Sequence, residues 1–413
     1  MTMRWTHAIL CAALTLTPAG SALAVSSTGD QAAEPEPPEA TDSATEPPSE
    51  PEEPPEEPRT VNLIIQGSDP DPWNLDVGGG WNDLDGLYGR IALSTNNLLG
   101  RGELLGLKLE LGDERELYEV EYRRPFLFGR RQYLGLRLFR DATQRPVAGG
   151  ADFEQERAGG ILSYGRRFGA HHSFDLDLRI ADVDQNELAI GPDDQELTRQ
   201  ASYVHAALRP SWVYDRLDSR ASPFRGLRLA GTLEWADQAL GGDSGLLKPV
   251  LGATWFQPVT TGRLRSTLSL RARFGWLGKT SGEIFPQQRF FLGGEDSVRG
   301  FLRNSIAALE DDGSLARDDD GFPIGGDRLA QINLEYHLLL GGPFRLVLFA
   351  DAGSVVAEGQ SFDLDRARTS AGAELRLKLK KMPVPLRLIY AHNLDPLPED
   401  RFKNFSFSFG LSF

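Results

Sequence analysis

The sequence predicts an all-β protein, a 16-stranded antiparallel transmembrane β-barrel. The first observation is period-two alternation sustained from about Asn74 to Phe413. The second is the density of charges of both signs on the polar faces of runs about ten residues long. The third is the gathering of aromatics at run ends, at Trp73, Trp81, Trp212, Trp235, Trp255, Trp276 and Tyr390.

Successive side chains of a strand point to opposite faces. In "HHSFDLDLRI", Phe174, Leu176, Leu178 and Ile180 oppose Asp175, Asp177 and Arg179. In "RLRSTLSLRARF", Leu264, Leu268, Leu270 and Phe274 oppose Arg265, Thr267, Ser269, Arg271 and Arg273. In "AELRLKLKK", Leu375, Leu377 and Leu379 oppose Arg376, Lys378 and Lys380. A secreted β-sandwich also buries alternate residues, but its strands run nearer 5–6 residues. Tilted strands of about 9–11 residues suit a bilayer, with apolar side chains toward lipid and a polar lumen.

Sixteen runs are expected, near 73–81, 86–95, 102–111, 115–123, 131–140, 154–165, 171–183, 200–213, 225–236, 248–258, 262–275, 327–339, 343–353, 366–379, 384–392 and 403–413. Short turns such as "NNLLGRG", "RPFLFG" and "PVTTG" alternate with long polar loops, the longest being 276–326. That asymmetry is expected of short periplasmic turns and longer extracellular loops.

The N-terminal part reads differently. Arg4, an apolar run from Ala8 to Leu16 and "SALA" predict a secretory leader over 1–24. Residues 25–59 hold eleven acids, many prolines and almost no large apolar side chain, which predicts a disordered acidic Pro/Glu-rich arm. The net charge of −15 is therefore mostly a property of the arm and does not favour nucleic acid. Residues 60–72, with "TVNLIIQG", read as a short periplasmic segment. Cys11 is the only cysteine and falls in the leader, so disulfides and Cys-based metal sites are not expected.

The longest loop carries the densest signature. "RFFLGGEDSVRGF" places Gly293, Gly294, Val298, Arg299, Gly300 and Phe301 within nine residues. Further on stand "QINLEYH", with Asn333, Glu335 and Tyr336, and "LFADAGS", with Phe349, Asp351 and Gly353. Together these resemble the signature of the Omp85 superfamily, the BamA/TamA-like or D15-type outer-membrane barrels that assemble or translocate proteins. "STNNLLGRGELLGLKLELG" and "EYRRPFLFG" are similar to that family's first hairpins. "YDRLDSRASPFRGLRL" is similar to its middle turn, although the order Asp215-Arg216-Leu217-Asp218 departs from the usual Y-D-x-R-D. The alternating end with Phe409, Leu411 and Phe413 resembles the family's assembly signal. The resemblance covers roughly 73–413.

The resemblance implies that the loop between strands 11 and 12 folds back into the lumen. It further implies that Arg299 meets Asp351 on the inner wall, with Glu335 close enough to share it. A planar guanidinium suits bidentate capture by a carboxylate, and the glycines permit positive φ and close approach. It also implies an outer-membrane location and help with insertion, translocation or surface display of other proteins. The alternative is a plugged pore or scaffold with a periplasmic or surface partner. Residues 25–72 are too few for a POTRA domain, so a barrel without one is expected. A weakly paired seam is expected between 74–81, with its three glycines, and 403–413. The expected partners are outer-membrane lipid and a protein substrate, with a monomer as the default state and no nucleic acid.

Neither an enzyme nor a cofactor is expected, because no G-x-S-x-G or other activated nucleophile stands out. "RDDDGFPIGGD" echoes part of a calcium loop, but Ala316 occupies the first ligand position and the last glutamate is missing. Basic lumen residues such as Arg271 and Arg273 face acids such as Glu119, Glu121, Asp175 and Asp177, so mutual neutralisation is expected over an anion pore.

Overall fold

The computed structural model describes residues 73–408 except 83–85, 130, 147, 149–150, 191–194, 221, 379–384, 395 and 398–399. The expected leader, acidic arm and 60–72 segment lie outside the described residues, as do Phe409, Leu411 and Phe413.

Sixteen antiparallel strands form the wall. They are β1 (Trp73–Asn82), β2 (Gly86–Asn96), β3 (Leu104–Gly112), β4 (Arg115–Pro125), β5 (Gln132–Pro146), β6 (Asp152–Phe168), β7 (His172–Ile190) and β8 (Glu196–Asp215). Then come β9 (Gly226–Ala236), β10 (Gly245–Thr260), β11 (Arg265–Trp276), β12 (Arg328–Gly341), β13 (Phe344–Val356), β14 (Arg368–Leu377), β15 (Leu386–Asn393) and β16 (Phe405–Ser408). Each pairs with the next in the chain. Past Leu277, a short extension of β11 (Gly278–Ser281) keeps contact with the start of β10, with Gly278 opposite Leu247.

Alternation decides which residues meet lipid. Leu134, Leu136 and Leu138 of β5 are exposed outward, as are Ile332 and Leu334 of β12 and Leu348 of β13. Trp73, Trp212, Trp235, Trp255, Trp276 and Tyr390 are exposed near strand ends. An apolar belt flanked by aromatics is the outer surface a bilayer requires. No described helix is long and apolar enough to cross a membrane, so any crossing is by strands.

Five strands are markedly longer than the sequence predicts, among them β5 with 15 residues and β10 with 16. Runs 154–165, 171–183 and 200–213 become β6, β7 and β8, with 17, 19 and 20 residues. The β7–β8 ladder continues from His172 opposite Tyr214 to Ile190 opposite Glu196. The added part of β7 begins with the polar stretch Asp184–Glu187, so apolar periodicity is interrupted where the backbone ladder is not.

The last strand is shorter than the expected 403–413 among the described residues. Among those residues it pairs with β15 from Arg387 opposite Ser408 to Tyr390 opposite Phe405. No ladder joins β16 to β1 among the described residues. The rings of Trp81 and Phe407 stack across that seam, with centroids 4.3 Å apart.

The loop between β11 and β12 turns inward at the long-loop end. Leu292, Val298, Phe301 and Ile306 of the loop pack with Leu246, Leu329 and Val355 of the wall, all nearly inaccessible to solvent. Backbone pairs Phe290 with Gly326 and Leu292 with Ile306 give the loop its own internal frame.

Candidate functional site

The site forms where the loop tip meets β12–β15. On β13, alternation turns Phe349, Asp351 and Gly353 inward. The β12 register sets Asn333 opposite Asp351 and Glu335 opposite Phe349. On β14, Ser370 lies opposite Asp351, which brings Glu374 onto the same inner wall four residues further on.

The tip needs its glycines. Gly293, Gly294 and Gly300 adopt φ of 105°, 98° and 87°. A Cβ on Gly300 would lie 2.4 Å from Asn393 Oδ1, and one on Gly293 2.2 Å from the Leu302 carbonyl oxygen. Gly353 serves the wall side: a Cβ there would sit 2.7 Å from both Leu292 and Val298. The D-x-G strand is therefore hollowed where Val298 docks.

Arg299, only 3% exposed, occupies the centre. Its Nε donates to Asp351 Oδ2 and an Nη to Oδ1, each at 2.7 Å. The backbone N–H of Arg299 donates to the same Oδ2 at 3.1 Å. The other Nη lies 2.7 Å from Glu335 Oε1 and 3.0 Å from Glu374 Oε2. The guanidinium also sits 3.7 Å from the centre of the Phe349 ring. Asn333 completes the cradle, donating to Asp351 Oδ1 at 2.8 Å and to the Ser297 carbonyl at 2.7 Å.

Three carboxylates around one guanidinium need further cations. Arg376 donates to Glu374 at 2.6 and 2.9 Å and to Glu335 at 3.3 Å. Arg387 donates to Glu374 at 2.6 Å and to Asp296 of the loop at 3.0 Å. His337 Nε2 lies 2.9 Å from Glu335. A unit pair at 2.7 Å attracts by about 6 kcal/mol at an effective dielectric near 20. Burial costs several kcal/mol per ion, so the net stabilisation is modest, while removal of one partner costs about 3–5 kcal/mol. Such a network fixes position more than it stabilises.

The sequence-singled residues Arg299, Asp351 and Glu335 thus meet at one point. Glu374, Arg376, Arg387 and Asn393 were not singled out. Their signal was the cross-strand register of β13 to β15, which local alternation does not contain.

The loop also holds the chain leading into β16. Lys403 donates its N–H to the Gly300 carbonyl at 2.9 Å, and Leu302 donates to Arg401 at 2.9 Å. Asn393 Nδ2 reaches Gly300 O at 3.2 Å, and Ser408 Oγ donates to Glu295 at 2.7 Å.

The calcium-like stretch is used internally. Asp318 pairs with Arg199 at 2.6 Å and Asp327 with Arg289 at 2.6 Å. No group of three or more His, Cys, Asp or Glu side chains is placed for a metal among the described residues.

An outer membrane protein assembly factor BamA from Nitratidesulfovibrio vulgaris is 24% identical over 335 residues, 78% of this chain and 39% of that protein. The BamA of Neisseria meningitidis serogroup B is 22% identical over 414 residues, 86% of this chain and 48% of that protein. The chain thus spans less than half the length of these relatives. The crystal structure of BamA from Haemophilus ducreyi lacking POTRA domains 1–3 superposes with a TM-score of 0.69 at 18% identity, covering 82% of this chain and 69% of that one. The model of the Omp85 superfamily domain matches residues 97–413, and the chain belongs to the Omp85 superfamily.

Proposed function

We propose that the protein is an outer-membrane barrel that assists the insertion, translocation or surface display of other proteins, working through the β1/β16 seam. The observation that supports this most is the asymmetry of that seam. β16 is tied to the loop tip and through it to the Arg299 network. β1 is paired along its whole length to β2, its one ladder partner among the described residues, and carries Gly78, Gly79 and Gly80 in its interior. Interior glycines weaken a strand. Its other edge offers backbone donors and acceptors to which an extended client segment can add as a strand. Arg299 is the latch in this reading, and Asp351, Glu335 and Gly353 form its keyhole. The latch keeps the loop and β16 in place while β1 moves.

The test is a crosslink. Cysteines at Trp81 and Phe407, whose rings stack, join the seam on oxidation. In proteoliposomes, folding of a urea-unfolded β-barrel client is expected to fall on oxidation and recover on reduction. Full activity in the oxidised state contradicts the proposal.

A second reading, a plugged pore or scaffold, is favoured by the apolar core that the loop builds across one end of the lumen. It predicts a quiet wild type and a conducting Arg299→Ala variant in planar bilayers, with no dependence of client folding on the crosslink.

A further inference from the structure

The lumen is not uniformly neutralised. Beneath the loop lies a cavity of ≈ 420 Å³, walled by β5, β6, β8 to β11 and the loop. Six cations line it: Arg145, Arg157, Arg209, Lys248, Arg273 and Arg289. Glu234 is the one acidic side chain among its lining residues. Behind the lining, Asp141 pairs with Arg157, and Asp327 with Arg289 at 2.6 Å. Six cations therefore face four carboxylates, counting Asp177, which stands opposite Arg209 in the β7–β8 ladder. Among the described residues, Arg145, Arg209, Lys248 and Arg273 form no ion pair.

Uncommitted hydrogen-bonding groups accompany this excess. Arg145 Nε, Arg157 Nε and both polar atoms of the Gln287 side chain are buried without a protein partner. Buried donors left unpaired are costly, more so when charged. Lys248 is held differently, with its ammonium donating to the Gln288 carbonyl at 2.5 Å and lying 4.5 Å from the Phe290 ring centre. That contact fixes the amine against the loop without neutralising it.

The contrast with the neighbouring cavity is instructive. It measures ≈ 270 Å³ and shares Arg209 and Thr232 with the first, so the two are contiguous. It mixes Arg123, Arg137 and Arg179 with Glu121, Asp175 and Asp177. There Arg123 donates to Glu121 at 2.6 Å and Arg179 to Asp177 at 3.1 Å. The Nε atoms of these three arginines are buried without a partner too, so ion pairing separates the compartments: among the described residues Arg123, Arg137 and Arg179 pair with acids, whereas Arg145, Arg209, Lys248 and Arg273 do not.

We propose that the compartment under the loop is a binding site for a phosphate-class oxyanion. Convergent guanidinium groups supply bidentate donors matched to phosphoryl oxygens. A cleft lined mainly by one sign of charge focuses its field and concentrates counter-ions. Gln287 and Arg289 sit on the loop, so the bound anion joins loop to wall on the side opposite the Arg299 latch, through a second set of contacts. The source is either a free inorganic oxyanion or the phosphate of a lipid headgroup.

The experiment uses the full chain, purified in detergent without phosphate. Inorganic pyrophosphate is titrated calorimetrically, and the denatured protein is analysed for released phospholipid by mass spectrometry. Pyrophosphate binding identifies the free source, and stoichiometric released phospholipid the headgroup source. Either is expected to weaken at least about tenfold in Arg145→Gln/Arg273→Gln. The charge-preserving Arg145→Lys/Arg273→Lys is expected to retain binding at reduced affinity, which separates loss of the site from loss of fold. Arg265→Gln, outside the cavity and stacked 4.2 Å from the Phe224 ring centre, is expected to bind as wild type. Absence of both ligands in the wild type overturns the proposal. So does equal binding by the glutamine variant, or chloride binding as tightly as pyrophosphate.

Discussion

The two strands that flank the seam are held in opposite ways. β16 is short among the described residues, yet its approach is bonded to the loop at Gly300 and Leu302, and Ser408 reaches Glu295. β1 is ten residues long and, among the described residues, laddered to β2. Across the seam the Trp81 ring stacks on Phe407, and Lys403 lies 5.3 Å from the Trp81 ring centre. In the proposed reading, connection to a buried charge network sets which side of the seam stays ordered. β16 inherits the order of β12–β15 through the loop, whereas β1 inherits only that of β2.

The strongest way to break this asymmetry is to remove its centre. Arg299→Ala leaves Asp351, Glu335 and Glu374 buried around a missing cation and is expected to cost about 3–5 kcal/mol. Limited proteolysis should then cut the loop between 303 and 320. Thermal unfolding on semi-native gels should drop, and β16 should become as labile as β1. Gly300→Ala comes next. It forces an L side chain into φ 87° with its Cβ 2.4 Å from Asn393 Oδ1, at an expected cost of about 1–3 kcal/mol. The same semi-native gels check it. Gly353→Ala acts from the wall side through Val298 and Leu292, and its overpacking is expected to cost about as much. Trp81→Ala removes the seam stack, worth roughly 0.5–1.5 kcal/mol beyond burial. It should speed opening of β1 without exposing the loop to protease.

The smallest effect lies far from the seam, in the turn between β8 and β9. Burial alone would raise the Asp218 carboxyl, but hydrogen bonds from the Phe224 and Arg225 N–H groups outweigh it and hold it below its usual value. A depressed carboxylate contributes stability above its unfolded pKa and loses it as pH falls through the folded one. Acidification below the ordinary Asp range should therefore loosen amides 224 and 225 in hydrogen exchange. In Asp218→Asn that pH dependence should vanish.

The fold was legible because lipid outside and water inside impose alternation on every strand. Ile332 and Leu334 against Asn333 and Glu335 show it within four residues. The upper parts of β6, β7 and β8 were not legible, since the polar stretch Asp184–Glu187 interrupts the alternation before Phe153, Ala189 and Leu197 pack against Phe322 of the loop. At the loop tip, glycine spacing and the D-x-G strand pointed to Arg299 and Asp351. Glu374 escaped because its approach depends on Asp351 standing opposite Ser370, a register between strands. The cation excess under the loop escaped for the same reason. Arg145, Arg209 and Arg273 lie on three strands and look neutralised until their neighbours are known.

The most direct test of the central claim is hydrogen–deuterium exchange, resolved by peptide, on the full chain in a bilayer. The account predicts that amides of 73–82 exchange well ahead of those of 401–408, although β1 is laddered to β2 along its whole length. Equal protection of the two segments, or slower exchange in β1, would contradict it.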